Sequence, residues 1–374
     1  MCGEIMDVPF LDLKAHLPQI KAEIEERFSR IIDNSAFVCG KEVKEFEETF
    51  SKMHSVKYAV GLSSGTDGNH LAGLCCGIGK GDEVIVPVNT FIATAEGISQ
   101  TGATPVFVDI EERTFNIDVN KIEERITPHT KAINPVHLYG QPANLKPIKE
   151  TAEKYSLFVI EDSAQAHLAE YNQKRVGGIG DIASWSFYPG KNLGAWGEAG
   201  GVTTNNEEMY IKAKKMRDHG SERKYYHDLI GFNYRMSEFQ AAVLNVKIKH
   251  IEKWTKMRRR NAEIYNELLA EIEQIKTPSE LEGVKHVFHL YVVRAKNRDR
   301  LQIFLKENGI STGLHYPIPL HLTQAYAHLG HEKGDFPAAE KLAGEILSLP
   351  MYPELSVEQI EYVCEKIRAF YKAL

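Results

Sequence analysis

Ser184-Trp-Ser-Phe-Tyr-Pro-Gly-Lys191-Asn-Leu-Gly-Ala-Trp-Gly-Glu-Ala-Gly-Gly201 begins as a strand, with Trp185 and Phe187 alternating with Ser184 and Ser186. It breaks at Pro189-Gly190, where neither a helix nor a central strand continues easily. One lysine, Lys191, follows at once among glycine, aromatic and small residues. Desolvation there disfavours the ammonium form, and a neutral amine at a fixed position is what Schiff-base chemistry requires. A lone lysine on a turn more commonly serves only solubility. The meaning of Lys191 therefore depends on what the rest of the chain supplies.

Working outward, short apolar runs recur at Tyr58–Leu62, 83–88, 104–109, 131–136, 157–162, 182–187 and 201–204. Helical stretches alternate with them: 20–32, Lys41–His54, one from Asn69, one after Phe91, and Leu145–Tyr155. Strands that are apolar throughout and alternate with helices predict an α/β fold, with a mostly parallel seven-stranded sheet covered on both faces. The last two strands have only a loop between them, so one of that pair is expected to run antiparallel. After about Met236 the alternation is lost. Residues 237–270 read as one or two long helices with Arg258 to Arg260 as a solvated face, 286–294 as strand-like, and 300–308 and 357–373 as helices. This predicts a large domain of residues 1–245, including an N-terminal arm, and a smaller C-terminal α+β domain of residues 246–374.

The chain has 374 residues and a net charge of −6. No basic block suggests nucleic acid and no acidic tail suggests a disordered arm. The opening residues lack the basic and apolar regions of a signal peptide, and no apolar run is long enough to span a membrane, so a cytoplasmic protein is expected. The five cysteines, Cys2, Cys39, Cys75, Cys76 and Cys364, are odd in number and include no CxxC, which indicates neither a disulfide framework nor a zinc site. Cys75 and Cys76 are expected to be small core residues.

In open α/β sheets, ligands bind beyond the carboxyl ends of the strands. The first strand runs into Ser63-Ser-Gly65-Thr66-Asp67, where Gly65 permits close backbone approach and a helix N-terminus offers free amides. That is a candidate phosphate cup, although an ordinary N-cap with a turn glycine reads the same way. The fifth strand ends in Glu161-Asp162-Ser-Ala-Gln165-Ala-His167. Asp162 is placed to hold a protonated ring nitrogen and Gln165 to donate to a ring oxygen; an N-cap aspartate is the plainer alternative, and His167 reads as structural. The sixth strand brings Ser186, a second phosphate donor, and then Lys191. Phe91 follows the second strand, where it can stack on a flat ring. Four strand ends would thus converge on one flat, phosphorylated aldehyde.

With these motifs in view, the chain resembles the DegT/DnrJ-type sugar aminotransferases, pyridoxal phosphate (PLP) enzymes of fold type I. The resemblance rests on Ser64-Gly65-Thr66-Asp67, Pro87-Val-Asn-Thr-Phe91, Glu161 to His167, Ser186-Phe-Tyr-Pro-Gly-Lys191-Asn192, Gly231-Phe-Asn233-Tyr-Arg235-Met-Ser and Tyr316-Pro-Ile-Pro-Leu-His321. It implies that Lys191 carries the cofactor as a Schiff base and shuttles the proton. It implies that Asp162 binds the pyridine nitrogen and Gln165 the ring hydroxyl, that Gly65, Thr66 and Ser186 take the phosphate, and that Phe91 packs on the ring. Asn233 would reach the phosphate of the other subunit, which implies a homodimer with shared sites. Tyr188, Tyr225, Arg235, Tyr316 and His321 become candidates for the sugar nucleotide and the donor carboxylate. One departure stands out: Asp67-Gly-Asn69 occupies positions where small or aliphatic residues are expected after the aspartate, which is expected to loosen the helix start.

The Phe-Tyr-Pro-Gly-Lys-Asn-Leu-Gly form resembles members that aminate C3 of a nucleotide-linked 3-keto-6-deoxyhexose. The expected reaction is a ping-pong transfer from L-glutamate to a dTDP-linked ketosugar, with no nucleic acid, membrane or metal involved. Amination at C4, a UDP-linked sugar, or a non-catalytic regulator on the same fold are the other readings. Relatives with histidine at the lysine position are dehydratases, which Lys191 argues against.

Overall fold

All seven apolar runs pair into one sheet in the computed structural model, which describes residues 5–374; Cys2 lies outside the described residues. The strands are β1 (Tyr58–Leu62), β2 (Glu83–Pro87), β3 (Thr104–Val108), β4 (Thr130–Ile133), β5 (Phe158–Asp162), β6 (Ile182–Ser186) and β7 (Gly200–Thr204). Their order across the sheet is β1-β7-β6-β5-β4-β2-β3. Strands β3, β2, β4, β5 and β6 pair in parallel, while β7 runs antiparallel to both β6 and β1. β1 therefore points the same way as the parallel five, and six carboxyl ends share one edge.

The strands read as apolar throughout because each has two buried faces. Val84, Val86, Ile160 and Ile182 enter one core with Leu71 and Ala72 of the helix Gly65–Cys75. Ile85, Ile133 and Val159 enter another beneath Ile148 and Ala152 of the helix Leu145–Tyr155. Ala183 and Trp185 meet Phe46 and Phe50 of the helix Lys41–His54. Each fully buried aliphatic side chain stabilises the fold by about 1.5–3 kcal/mol. Cys75 and Cys76 are buried in the first of these cores, as expected.

The helix Lys41–His54 has Gly40 at its N-cap and no local side chain to satisfy its first amides. Glu238, far along the chain, does so: its carboxylate accepts from Gly40 N at 2.7 Å, Glu42 N at 2.8 Å and Val43 N at 3.1 Å. A carboxylate at a helix N-terminus also complements the dipole. Glu238 opens the next helix, Glu238–Lys247, so this cap locks two helices together.

Residues 237–270 form two helices, Glu238–Lys247 and Ile251–Leu269. The solvated face expected for Arg258 to Arg260 is not found at Arg258, which is buried. Its guanidinium donates to the carbonyls of Phe288 (3.2 Å), His289 (3.3 Å) and Met351 (2.9 Å). Those carbonyls belong to irregular segments whose polar groups need partners. Of the strand-like stretch 286–294, only the part from Tyr291 is strand: Tyr291–Ala295 forms the centre of a three-stranded antiparallel sheet with Ile275–Lys276 and Ile346–Leu349. The helices Ile251–Leu269, Arg298–Glu307 and Val357–Lys372 cover it, with Tyr265, Tyr291, Leu301 and Ile360 in its core. Val8 of the N-terminal arm is buried in this same core and bridges to Ile310. The arm is thereby strapped down, and Phe10 and Leu11 lie over the carboxyl edge of the large sheet.

Candidate active site

A cleft of about 560 Å³ opens at that edge, and its wall includes Gly65, Thr66, Phe91, Asp162, Gln165, Ser186, Tyr188, Lys191 and Tyr316. Nine of the residues singled out from sequence thus come together. They arrive from the ends of β1, β2, β5 and β6, and Tyr316 comes from the C-terminal part.

After β1, Ser64 is extended and its Oγ accepts from Asp67 N at 3.1 Å, a regular N-cap. Ser63 Oγ donates to Asp67 Oδ2 at 2.6 Å. The helix start expected to be loose is therefore firmly capped. Gly65 is required for space: a Cβ there would stand 2.7 Å from Ser186 Cβ. The close approach brings Thr66 and Ser186 together beside the helix N-terminus, whose amides and dipole favour an anion.

Asp162, at the end of β5, is buried. Its Oδ2 accepts from Thr94 Oγ1 at 2.7 Å and Asn69 Nδ2 at 3.0 Å, and its Oδ1 accepts from Ala164 N at 3.1 Å. A carboxylate has about four acceptor positions, so Oδ1 retains one toward the cleft. Gln165 Oε1 accepts from Tyr139 N at 2.6 Å. Because a backbone amide only donates, this fixes the side-chain amide with Nε2 facing Tyr316 Oη, at 3.1 Å.

Lys191 sits on the turn the sequence predicts, its own N bonded to Tyr188 O at 2.8 Å. The turn is anchored on its far side. Lys247 Nζ donates to Gly194 O at 2.7 Å, Asn192 Nδ2 to Val287 O at 3.1 Å, and Ala195 N to Phe187 O at 2.8 Å. Among the described residues Lys191 Nζ has no hydrogen-bond or ion-pair partner. Burial pushes its ammonium down to about 8, with the Asp162 carboxylate pulling the other way. Burial, with Lys191 nearby, also holds His289 and His315 well below the ordinary imidazole range. The cleft mouth is aromatic, with the Phe91 and Tyr316 rings 5.7 Å apart.

Four expected residues do not line this cleft. Asn233, Tyr225 and Arg235 lie outside it: Asn233 is exposed, Tyr225 is 78% exposed on a hairpin, and Arg235 pairs with Asp218. His321 is a correction to its role as a substrate-binding candidate. It is buried in the turn Leu320–Leu322, with Nε2 3.0 Å from Glu340 and its ring against Phe336. His167 is fully buried beside Trp185 and Phe187, in keeping with a structural role.

The cleft also holds residues to which the sequence reading gave no role in the site: Asn69, Thr94, Phe10, His289, His315 and Met351. Thr94 had a usable signal, since it stands one helical turn after Thr90, and the two hydroxyls are 2.9 Å apart. Asn69 had one too, as a polar residue in an otherwise apolar helix face. The others arrive by long-range packing.

An anion cup, a buried carboxylate and an amine of lowered pKa on one wall suit a flat, anionic, electron-accepting carbonyl compound. The family model for the DegT/DnrJ/EryC1/StrS aminotransferase family matches residues 18–368. A pleiotropic regulatory protein of Geobacillus stearothermophilus is 48% identical, covering 98% of this chain and 99% of its own. A dTDP-3-amino-3,4,6-trideoxy-alpha-D-glucose transaminase of Streptomyces venezuelae is 41% identical over 98% of this chain and 97% of its own. A UDP-N-acetyl-3-dehydro-alpha-D-glucosamine 3-aminotransferase of Acidithiobacillus ferrooxidans is 42% identical, with 96% and 97% covered. Among solved structures, S. venezuelae DesV in complex with a ketimine intermediate superposes with a TM-score of 0.97 at 40% identity, covering 98% of this chain and 99% of that one. NtdA from Bacillus subtilis with bound cofactor PMP superposes with a TM-score of 0.91 at 33% identity, with 99% and 86% covered. With its seven-stranded sheet and strand-end cleft, the chain belongs to the DegT/DnrJ/EryC1/StrS aminotransferase family.

Proposed function

We propose that the cleft binds pyridoxal 5'-phosphate and that the enzyme moves the amino group of L-glutamate to C3 of a dTDP-linked 3-keto-6-deoxyhexose, giving a dTDP-3-amino-3,6-dideoxyhexose. The observation that carries this reading is the convergence of Gly65, Asp162 and Lys191, from three strand ends, on one cleft. The residues fit the cofactor: the cup has no room for a Cβ at Gly65, Asp162 Oδ1 keeps an open acceptor position, and Lys191 Nζ has no protein partner among the described residues. Gly65, Thr66 and Ser186 would hold its phosphate, Asp162 its ring nitrogen and Gln165 its ring hydroxyl, with Phe91 over the ring. When bound, the cofactor supplies a carbonyl that condenses with amines and a ring that accepts electrons.

The chain's own task is positioning and proton transfer. Glutamate enters first, and Lys191 Nζ takes the proton from its α-carbon. After 2-oxoglutarate leaves, the ketosugar enters and Lys191 Nζ returns a proton as the amine passes to the sugar. Tyr188 and Tyr316 at the mouth are placed to contact the sugar, and the nucleotide, remote from the reacting carbon, supplies binding energy for alignment. Asn233, Tyr225 and Arg235 lie outside the chain's own cleft, and this reading has them serve the cleft of a second copy. Phe37, Val38 and Ile230, all exposed, favour such an apolar contact. No helix among the described residues is long and apolar enough to cross a membrane.

A UDP-linked 3-ketosugar is the second reading, favoured by the 42% identity to an enzyme whose name specifies UDP. A regulator is favoured only by a relative's name, and the complete set of Lys191, Asp162 and Gln165 weighs against it. Mass spectrometry of products from dTDP- and UDP-linked 3- and 4-ketosugars with glutamate separates these readings. A 3-amino dTDP product is expected; no product with any ketosugar would sink the enzymatic assignment.

The depressed amine gives a second expectation. With its pKa at about 8, roughly a tenth of Lys191 is neutral at pH 7, far above the fraction for a free lysine. The rate at which cofactor-free protein captures PLP should rise with pH and level off above about 8. Stopped-flow absorbance across pH 6–11 reads the midpoint, and a midpoint near the ordinary lysine value would contradict the role of burial.

A further inference from the structure

We propose that Asn69 is a positioning residue for the cofactor-holding carboxylate: with Thr94 it occupies one oxygen of Asp162 and leaves the other to the ring nitrogen. This rests on the cofactor reading above. Asn69 is buried in the helix Gly65–Cys75, whose neighbouring Leu71 and Ala72 face the core. A buried amide in such a place is costly unless both its ends are bonded, and here both are. Ser184 Oγ donates to Asn69 Oδ1 at 2.7 Å, and Asn69 Nδ2 donates to Asp162 Oδ2 at 3.0 Å. Since the Asp162 oxygen only accepts, Nδ2 must be the group facing it, and Oδ1 is left for Ser184.

A second relay arrives from the other side. Thr94 Oγ1 commits its proton to the same oxygen at 2.7 Å, so across the 2.9 Å contact Thr90 is the donor to Thr94. Two relays, Ser184 to Asn69 and Thr90 to Thr94, therefore end on Asp162 Oδ2 and use both its acceptor positions. Among the described residues Oδ1 has only Ala164 N, at 3.1 Å. The carboxylate is held by neutral donors alone, which orient it without cancelling its charge. The packing is built around this: at Gly97, on the neighbouring helix Ala93–Gln100, a Cβ would stand 2.6 Å from Asn69 Cβ.

The test is a cofactor-affinity cycle on the full chain freed of cofactor. Wild type, Asn69→Leu and Ser184→Ala are titrated with PLP and with an analogue that carries C–H in place of the ring nitrogen. If Asn69 acts through Asp162 on that nitrogen, Asn69→Leu weakens PLP about tenfold and the analogue less than about twofold. Ser184→Ala, which only releases the Asn69 amide, weakens PLP about threefold with the same selectivity, and it decides the matter if Asn69→Leu does not fold. Equal losses for both ligands, or no loss for PLP, overturn the proposal while leaving the cofactor reading intact. Wild type that binds PLP no better than the analogue overturns the Asp162 contact on which the proposal depends. Wild type that binds neither overturns the cofactor reading and this inference together.

Discussion

Lys191→Ala is expected to abolish turnover, by at least about 10⁴-fold, while the protein still folds and still binds PLP without a covalent bond. On the proposed reading the amine does two things that alanine cannot: it binds the cofactor covalently and it carries the proton. General acid–base transfer alone contributes about 10²–10⁴-fold, and loss of the covalent link adds to it. Folding should survive because the turn is held by other groups, namely the Lys247 bond to Gly194 O, the Asn192 bond to Val287 O and the backbone pairing of Ala195 with Phe187. Removing a half-buried ammonium that has no partner among the described residues also removes a desolvation cost. Borohydride reduction followed by peptide mass spectrometry should label residue 191 in the wild type and nothing in the variant. Turnover within tenfold of wild type, or a label on another lysine, would assign the chemistry elsewhere.

Lys191 was legible from sequence because its signal is local: an apolar strand, a Pro-Gly break and an uncharged neighbourhood. Gly65 and Asp162 were legible for the same reason, since each follows a strand whose carboxyl end must lie on the common edge. The seven strands were readable because burial on both faces makes most of their residues apolar, and polar ones such as Glu161, Asp162, Ser184 and Thr203 are themselves buried. What escaped was contact made at a distance. Tyr139, which aims its amide at Gln165, is in left-handed backbone that no composition signal announces. His289, His315 and Phe10 reach the cleft only because the arm and the C-terminal part fold over the sheet edge.

Two misreadings have a common physical cause. Arg258 to Arg260 looked solvated because three arginines in a row are usually surface. Yet helical spacing places Arg258 on the stripe of Trp254, Thr255, Asn261, Ala262 and Tyr265, all buried, and periodicity should have outweighed charge. His321 was assigned from the motif around it, but the fold sends its ring to Glu340. In both cases residue identity was allowed to stand in for position. Asn69 is the reverse case, since the departure from expectation was noticed and its consequence was not. An amide in an apolar helix face asks for two buried partners, and here they are Asp162 and Ser184.

Asp162→Asn should lower turnover by roughly 10²–10⁴-fold with the fold retained. The size follows from charge. A carboxylate facing a protonated ring nitrogen forms a buried ion pair, and removing one partner of such a pair costs about 3–5 kcal/mol, at 1.36 kcal/mol per tenfold in rate. Asparagine matches the shape but cannot reproduce the hydrogen bonding in either orientation. If its oxygen faces Thr94 and Asn69, its NH₂ confronts Ala164 N; if it flips, the NH₂ confronts Thr94 Oγ1 and Asn69 Nδ2. One or two buried donors are then left unpaired, a further loss of about 1–3 kcal/mol each in stability. With its oxygen toward Thr94 and Asn69 the side chain keeps both of those bonds and leaves only Ala164 N unpaired, so this orientation is the less costly one. It presents an NH₂ to the ring nitrogen, which can then no longer keep its proton. Two measurements separate the losses: denaturant unfolding reads the stability term, and turnover at saturating glutamate and ketosugar reads the electronic one. Full turnover in a variant that unfolds earlier would confine Asp162 to a structural role and remove the reason for the relays that end on it.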